Sequence, residues 1–381
     1  MNNELRITNY ELRITNNESQ GVVVIDGSYG EGGGQVLRTA LALAVITGRP
    51  LRIEHIRARR RKPGLRPQHL TGVRAAAGVC GARLEGDELD SQTLTFVPAG
   101  PPRPGEYTFD VVEAARGGSA GSVGLVLQTV LLPLALAEGE SFLTLRGGTH
   151  APWAPPVPYL QHVYLPALAQ MGVEASVELT RWGFYPAGGG EIQVRITGRK
   201  RSLRPITLTE RGELCRVWGT AAVMNLPAHI PQRMANRARN VLAEAGLEAQ
   251  VEPRRLRGAG PGAGVFLFAE YAHATAGFTA YGRKGLPAER VAEAACKDLL
   301  AHHRSSGPAD PHLADQLVLP MALATGKSQV ATSRVSQHLL TNVWVVQQFL
   351  AREISIEGEL GAQGTLIVGE RSPRPDGGEH D

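Results

Sequence analysis

The chain has 381 residues, of which 43% are hydrophobic, and its formal net charge is +4. This length and hydrophobic content suffice to bury a large core, which excludes an intrinsically disordered protein and favours two domains. The three cysteines, Cys80, Cys215 and Cys296, show no C-x-x-C spacing, so the sequence indicates neither a disulfide framework nor a zinc site and fits a reducing cytoplasm.

Both ends of the chain differ in composition from the rest. The hexapeptide ELRITN occurs at residues 4–9 and again at 11–16, and this segment lacks the apolar core of a signal peptide. We therefore interpret residues 1–20 as a disordered extension. The polar residues 369–381 are interpreted as a solvated, disordered tail.

The first predicted strand is followed by the glycine-rich loop IDGSYGEGGGQ, residues 25–35, and then by a helix. A dinucleotide-binding G-x-G-x-x-G loop is excluded because Gln35 stands where the last glycine is required. The loop instead brings backbone N–H groups to a helix N-terminus, with Glu31 beside them and Arg38 inside the helix. This pattern suits a phosphate with its metal, while the glycines alone are also typical of a tight strand-to-helix turn.

A basic loop, IRARRRKPGLRPQHL, follows the next predicted strand and carries five arginines and one lysine within residues 57–66. A charge run of this kind is typical of a solvated face. Here, Pro63-Gly64 and the preceding strand favour a shaped loop that binds phosphates. The mildly basic net charge is compatible with an anionic partner such as a nucleotide or RNA.

Three predicted helices share an Ala-Leu-Ala core, and equivalent positions in them are held by Gln35, Gln128 and Asp315. Each helix is followed by a β-rich run and then by a second helix, and the second helices carry Gln68-His69, Gln161-His162 and Gln337-His338. The pattern predicts three repeated α/β units. The most apolar stretch, Val123–Ala137, is too short for a membrane span and is interpreted as a buried helix.

Residues of about 203–303 do not show the Ala-Leu-Ala pattern. Their order of predicted strands, helices and a glycine-rich loop favours a smaller inserted α/β domain. The sequence therefore predicts a large repeat domain formed by residues 21–202 and 304–368, with residues 203–303 inserted into it.

Two nucleotide-binding motifs are excluded. The stretch ALATGKS ends like a Walker A loop, but Met321 stands where a glycine is required, and a helix rather than a strand precedes it. The chain contains no K-x-D-G motif, which argues against a ligase with a lysine nucleophile.

Six stretches of the chain carry a resemblance to a known family: DGSYGEGGGQVLR, IRARRRKPGLRPQHL, GSVGLVLQTVLLP, RWGFYPAGGGE, HLADQLVLPMALA and SQHLLTN. In this order, over about residues 22–365, they resemble the RNA 3′-terminal phosphate cyclase family. The resemblance implies an α/β fold whose large domain has three repeated units similar to the folding unit of enolpyruvyl transferases, with a smaller inserted α/β domain. It also implies ATP-dependent conversion of an RNA 3′-terminal phosphate to a 2′,3′-cyclic phosphodiester, with release of AMP and pyrophosphate.

The resemblance implies a role for each matching residue. His338 becomes the nucleophile that carries AMP before AMP passes to the RNA; the sequence alone does not choose between it, His69 and His162. The implied ATP contacts are Gln128, His312, Leu313, Ala314, Asp315 and Gln316. Of these, His312 would stack on one face of the adenine, and Pro155 and Pro156 would lie on its other face. The implied ligands of Mg²⁺ or Mn²⁺ are Glu31 and Gln128, and the residues that position phosphates are Arg38, Arg57, Arg60 and Gln68.

Two other functions remain open from the sequence. Relatives of these cyclases in ribosome assembly keep the fold and bind RNA or protein without catalysis, but such a factor is expected to lose the histidine and the ATP-contacting residues. An enolpyruvyl transferase shares the repeat and needs no nucleophilic histidine. From the resemblance to the cyclases, the expected partners are ATP and RNA with a 3′-terminal phosphate. No membrane association and no obligate protein partner are expected.

Overall fold

The computed structural model of the protein describes residues 21–114, 121–199 and 201–370. The predicted extension at residues 1–20 and residues 371–381 of the predicted tail lie outside this described part, so these two predictions stay untested.

Three sheets of four strands share one topology, and each corresponds to one sequence repeat. In each sheet the first two strands are parallel and the other pairs are antiparallel, in the spatial order first, second, fourth, third. A helical segment follows each of the first two strands. The predicted α/β fold with three repeated units is confirmed.

The elements of the three units are as follows. The first unit contains β1 (Val23–Asp26), α1 (Gly34–Thr47), β2 (Leu51–Glu54), α2 (Pro67–Cys80), β3 (Arg83–Glu85) and β4 (Leu94–Val97). The second contains β5 (Glu106–Asp110), α3 (Val123–Leu136), β6 (Gly139–Gly147), α4 (Val157–Tyr159), a π-helical segment (Leu160–Tyr164), α5 (Leu165–Gln170), β7 (Glu174–Arg181) and β8 (Gly190–Gly198). The third contains β9 (Thr207–Leu208), α8 (Pro311–Leu323), β14 (Ser328–Thr332), α9 (Gln337–Phe349), β15 (Ile354–Gly358) and β16 (Gly364–Val368).

A fourth sheet belongs to the inserted unit and has the strand order β11-β10-β12-β13. Its elements are β10 (Leu214–Met224), α6 (His229–Glu244), β11 (Ala249–Leu256), β12 (Gly262–Tyr271), β13 (Thr275–Tyr281) and α7 (Ala288–Arg304). The two helices pack on this sheet around a hydrophobic core of their own. The insertion therefore lies inside the third unit, between its first strand and its first helix.

The pairing of the short strand β9 shows that the third unit begins before the insertion. Thr207 and Leu208 pair in parallel with Gln329 and Val330 of β14, as the first strand does in the other two units. This pairing groups Thr207-Leu208 with the third sheet. The predicted division of the chain at residues 202 and 303 itself stays a prediction.

Five helices form the centre of the large core. Helix α1 contacts α2, α3 and α9, and α8 contacts α9. Helix α3 is apolar on every side, and nearly all its residues are buried, as expected for a helix surrounded by others. Among the described residues, no helix is long and apolar enough to cross a membrane.

The second helix of the second unit departs from the sequence prediction of one regular helix. It is interrupted by the π-helical segment Leu160–Tyr164. Pro166 follows this segment and has no N–H to donate, and its ring would crowd the carbonyl one α-turn earlier. A wider turn at this place relieves that crowding.

We predict that Leu317→Ala, within α8, destabilises the large core. Leu317 has no exposed surface, and truncating a fully buried leucine costs about 2–5 kcal/mol because it leaves a cavity. Leu360→Ala is the matched control, since 55% of Leu360 is exposed. Urea denaturation should shift its midpoint for the first variant only. Equal shifts for the two variants would show that α8 is not part of the central core.

Candidate active site

A large cleft, of about 1640 Å³, lies where the helices of the first and third units begin. Its walls include the first turns of α1, α2, α8 and α9 and the basic loop between β2 and α2. The inserted unit supplies a further wall, to which β13 and α7 contribute Gly277, Phe278, Thr279, Tyr281, Asp298, Ala301 and His302. The cleft is thus shared by the repeat units and the insertion.

The glycine-rich loop between β1 and α1 adopts the tight turn that its sequence indicates. Gly30 has a φ of 58° and lies against α9, where a Cβ on it would stand 2.4 Å from Thr341 Oγ1. Helix α1 then begins at Gly34, and no side chain caps it. Its first N–H groups are therefore available to a ligand in the cleft.

His338 lies in the first turn of α9, at the cleft surface. Its Nε2 is 3.1 Å from Glu31 Oε2, within hydrogen-bonding distance, and its Nδ1 is 3.8 Å from Asp315 Oδ2, which is too long for a hydrogen bond. Burial lowers the pKa of His338, while the charge of Glu31 acts in the opposite direction. The neutral imidazole, which is the nucleophilic form, is therefore favoured at neutral pH.

Arg38 and Asp315 line the cleft near His338 and are both largely buried. Burial lowers the pKa of Arg38 to about 10, with Asp315 opposing the shift, so Arg38 stays protonated at neutral pH. Burial raises the pKa of Asp315 well above its usual value, and Arg38 opposes that shift as well. Within the described residues, no hydrogen bond occupies the Arg38 guanidinium, which lines the cleft.

His69, the equivalent histidine of the first unit, has a different environment. Its Nδ1 accepts a hydrogen bond from the backbone N–H of Arg66 at 3.1 Å, so it caps α2. Burial, together with the charges of Arg57, Arg38 and Arg66, lowers the pKa of His69 well below its usual value. The ring is neutral with its proton on Nε2, and neither nitrogen offers a lone pair to the cleft.

His162, the equivalent histidine of the second unit, faces the inserted unit. Its ring packs edge-on against Trp218 at 4.6 Å and against Phe268 at 5.3 Å. It does not line the cleft. Of these three equivalent histidines, His338 alone presents an imidazole nitrogen beside carboxylates in the cleft.

The start of each second helix explains these differences. Helix α9 is capped by Ser336, whose Oγ accepts the N–H of Leu339 at 3.0 Å, so the His338 ring is not needed as a cap. Helix α2 begins one residue earlier relative to the Gln-His pair, with Pro67 at its first position, which puts His69 where a capping side chain reaches back. Ser336 and Pro67 are signals from which the sequence could have predicted this difference.

The residues expected to contact ATP form a hydrogen-bonded row along α3 and α8. Gln128 Nε2 donates to Gln316 Oε1, and Gln316 Nε2 donates to the carbonyl of His312, both at 2.8 Å. The His312 side chain is exposed at the cleft, which the loop that carries Pro155-Pro156 also lines. Two members of the expected stretch do not line the cleft, since the side chains of Leu313 and Ala314 are buried in the core.

The expected phosphate-positioning residues divide into two groups. Arg38 and Arg60 present guanidinium groups to the cleft, and Arg60 also lies 3.3 Å from Glu31 Oε2. Arg57 and Gln68 line the cleft but are engaged within the protein. Arg57 donates to the carbonyls of Lys62 and Gly64, which shapes the basic loop. Gln68 Oε1 accepts the N–H of Ser122 at 2.9 Å, at the start of α3.

Comparisons with known proteins agree with this organisation. A family model described as RNA 3′-terminal phosphate cyclase matches residues 29–356. A protein named RNA 3′-terminal phosphate cyclase from Methylococcus capsulatus is 58% identical over 90% of this chain and 95% of its own length. Proteins of the same name from Trichormus variabilis and Archaeoglobus fulgidus are 55% and 41% identical, each over 88% of this chain, and over 96% and 98% of their own lengths.

The chain belongs to the RNA 3′-terminal phosphate cyclase family. Among solved structures, the enolpyruvyl transferase NikO from Streptomyces tendae aligns with a TM-score of 0.27 and 19% identity, over 47% of this chain and 33% of that one. A likeness of that size carries no argument about the fold of this cyclase family member.

A buried aspartate that sequence reasoning missed joins the inserted unit to the start of α8 at this cyclase-family cleft. Asp310, the N-cap of α8, accepts hydrogen bonds from the N–H groups of His312 and Leu313 and from the Tyr159 hydroxyl. Its second oxygen accepts the N–H of Gly277 in β13, at 3.3 Å. The sequence signal for this role was an Asp directly before Pro311, a typical helix start.

An exposed aromatic residue at the cleft was also missed. Trp153 is 93% exposed and has a φ of 61°, an uncommon conformation for a bulky residue. Tyr185, 53% exposed, also lines the cleft. Both rings offer flat apolar faces to a ligand.

We predict that Asp310→Ala destabilises the protein by about 2–4 kcal/mol, because it removes a helix cap and leaves several buried donors without partners. Asp298→Ala is the control, since Asp298 lines the same cleft but is exposed. Thermal denaturation of the two variants measures the difference. A wild-type denaturation profile for Asp310→Ala would contradict the role assigned to this carboxylate.

Proposed function

We propose that the chain is an ATP-dependent RNA 3′-terminal phosphate cyclase in which His338 carries AMP covalently. The observation that carries this proposal is the position of the His338 imidazole, neutral and in the cleft, next to Glu31, Arg38 and the uncapped start of α1. The name shared by the relatives from three organisms supports the same substrate class for this chain.

In the first step, an imidazole nitrogen of His338 attacks the α-phosphorus of ATP. A P–N bond forms as the bond from the α-phosphorus to the bridging oxygen of pyrophosphate breaks. We propose Nε2 as the attacking atom, because it points towards Glu31 and the loop before α1. The Glu31 carboxylate can only accept a hydrogen bond, so the neutral ring carries its proton on Nε2 in this arrangement, and Glu31 takes that proton as Nε2 attacks. The helix N-terminus and Arg38 stabilise the charge on the phosphate oxygens as the bonds exchange.

In the second step, an oxygen of the RNA 3′-phosphate attacks the same phosphorus, the P–N bond breaks, and the RNA carries AMP on its terminal phosphate. In the third step, the neighbouring 2′-hydroxyl attacks the RNA phosphorus, loses its proton and expels AMP. The product is a 2′,3′-cyclic phosphodiester. Since this hydroxyl is already tethered beside its target, the protein contributes positioning and charge neutralisation.

The residues fit a divalent metal that is shared with the nucleotide. Among the described residues, no group of three or more His, Cys, Asp or Glu side chains could hold a metal ion. Glu31 lines the cleft, and Gln128 donates only its amide nitrogen to Gln316, which leaves its carbonyl oxygen available. Mg²⁺ or Mn²⁺ takes one or two protein oxygens and completes its shell with phosphates and water, and when bound it would neutralise phosphate charge.

The adenine and the RNA end have separate surfaces in this proposal. His312 stacks on one face of the adenine, and Pro155-Pro156 lies on the other, with Gln316 and Gln128 fixing the edge between them. The exposed rings of Trp153 and Tyr185 provide stacking faces for RNA bases, which do not depend on base identity.

A non-catalytic RNA-binding factor has the same fold but does not need this arrangement. Such a factor has no use for a half-buried histidine that is kept neutral beside Glu31 and Asp315 in a cleft. His338, Gln128, Asp315 and Gln316 are all present and line one cleft, which favours the enzyme.

We predict that His338→Ala forms no covalent adenylate with labelled ATP and metal, and no cyclic RNA end. His162→Ala, the matched control, should form the adenylate, because His162 packs outside the cleft. Denaturing gel electrophoresis after incubation without RNA measures the adenylate directly. A labelled His338→Ala protein would refute the assignment of the nucleophile.

We predict that Arg60→Lys slows transfer of AMP to RNA about tenfold or more at saturating RNA, because Lys keeps the charge but loses the planar fork. Arg254→Lys is the control, since Arg254 pairs with Glu252 on an exposed strand of the inserted unit. A single turnover that starts from isolated enzyme–AMP separates this step from ATP binding. A defect confined to the Arg254 variant would indicate that the RNA end binds to the inserted unit and not to the basic loop.

A further inference from the structure

Two side-chain nitrogens that border the start of α1, those of His69 and Arg38, make no hydrogen bond to any residue that the structure describes. A Cβ on Gly34 would stand 2.5 Å from His69 Nε2 and 3.0 Å from Arg38 NH1, so both nitrogens border this residue. A side chain here would fill the space between them. Because Gly34 has no side chain, space remains at the N-terminus of α1, between the nitrogens of His69 and Arg38.

His69 is an oriented hydrogen-bond donor at this position. Its Nδ1 is occupied by the N–H of Arg66, so the neutral ring carries its proton on Nε2. The residue is only 6% exposed, it lines the cleft, and within the described residues Nε2 makes no hydrogen bond. The protein thus orients the ring through Nδ1 and leaves the Nε2–H group for a partner that arrives through the cleft.

Gln35 is a second such donor, one residue further along α1. It is 7% exposed, and in the described part of the chain its Nε2 has no hydrogen-bond partner. Gln35 lines the cleft together with His69 and Arg38. Sequence analysis placed it at the repeat position of Gln128 and Asp315 but assigned it no function.

We infer that His69 and Gln35 bind the non-bridging oxygens of a phosphate monoester at the start of α1, together with Arg38 and the first N–H groups of the helix. This inference rests on the proposed function, which offers two sources of that chemistry: the RNA 3′-phosphate and the terminal phosphate of ATP. We expect the RNA 3′-phosphate, because Arg60 of the basic loop borders the same turn, where a Cβ on Gly33 would stand 3.2 Å from Arg60 NH2.

These neutral donors would make the site selective for a phosphorylated end. An RNA that ends in a 3′-hydroxyl supplies no acceptor at this place and leaves His69 and Gln35 without partners. A site built to hydrogen-bond a substrate group rejects analogues that lack it much more strongly than an apolar pocket does. His69, although equivalent to the proposed nucleophile, would thus act in recognition.

Two variants remove one donor each. His69→Asn keeps a side-chain oxygen about where Nδ1 accepts the Arg66 N–H, but it is too short to place a donor at the Nε2 position. Gln35→Met keeps the length of the side chain and removes the amide. His162→Asn is the matched control, because it changes the equivalent histidine of the second unit, outside the cleft.

Each variant is measured in two separate reactions: adenylate formation from ATP without RNA, and a single turnover of isolated enzyme–AMP with RNA 3′-phosphate. Loss of a hydrogen bond to a charged group corresponds to a reduction of about 10- to 100-fold. We expect this reduction in the RNA reaction for His69→Asn and Gln35→Met and not for His162→Asn. A reduction in adenylate formation alone would assign the same donors to the terminal phosphate of ATP. Wild-type rates in both reactions would overturn the inference.

A second readout does not depend on turnover or on any variant. In wild-type protein labelled with ¹⁵N-histidine, NMR should show His69 protonated at Nε2, with a signal that moves on addition of inorganic phosphate. Protonation at Nδ1, or no response to phosphate, would overturn the inference even if the enzyme were active. Absence of a covalent adenylate in wild-type protein would overturn the proposed function and leave this phosphate response unaffected.

Discussion

One buried side chain fixes the three helices on which the cleft depends. Asn342 in α9 accepts a hydrogen bond from Thr39 Oγ1 in α1 and donates one to the carbonyl of Asp315 in α8, both at 3.0 Å. Asn342 is 7% exposed, so both bonds are shielded from water and each would be costly to lose. Because helices are stiff, this contact also sets the positions of Arg38, which is adjacent to Thr39, and of His338, which lies one turn before Asn342.

The three units show how one fold position takes three chemical roles. His338 lies free of the helix cap because Ser336 performs that function, and two carboxylates then face its ring. His69 is itself the cap, which fixes its tautomer and turns a donor to the cleft. His162 packs on the aromatic side chains of the inserted unit. The repeated fold places the three histidines at equivalent positions. The groups that surround each ring then determine its protonation and its hydrogen bonds.

The repeated α/β units could be predicted from sequence, because the Ala-Leu-Ala helices and the Gln-His pairs recur at matching positions. The pairing of β9 with β14 could not, since β9 is only two residues long and has no periodicity. The sequence brought Glu31, Arg38 and His338 into one expected site. It did not reveal the bonds of Arg57 within its own loop, the burial of Leu313 and Ala314, or the link from Asp310 to Gly277, because these depend on contacts between distant segments.

The central claim is that AMP becomes bonded to His338. The most direct test is to incubate wild-type protein with α-labelled ATP and metal, establish the acid and alkali stability of the adduct, and map the labelled peptide by mass spectrometry. A phosphoramidate on histidine is labile to acid and stable to alkali, and the account predicts such an adduct on the peptide that contains His338. An adduct on another residue, or no covalent adduct at all, would contradict it.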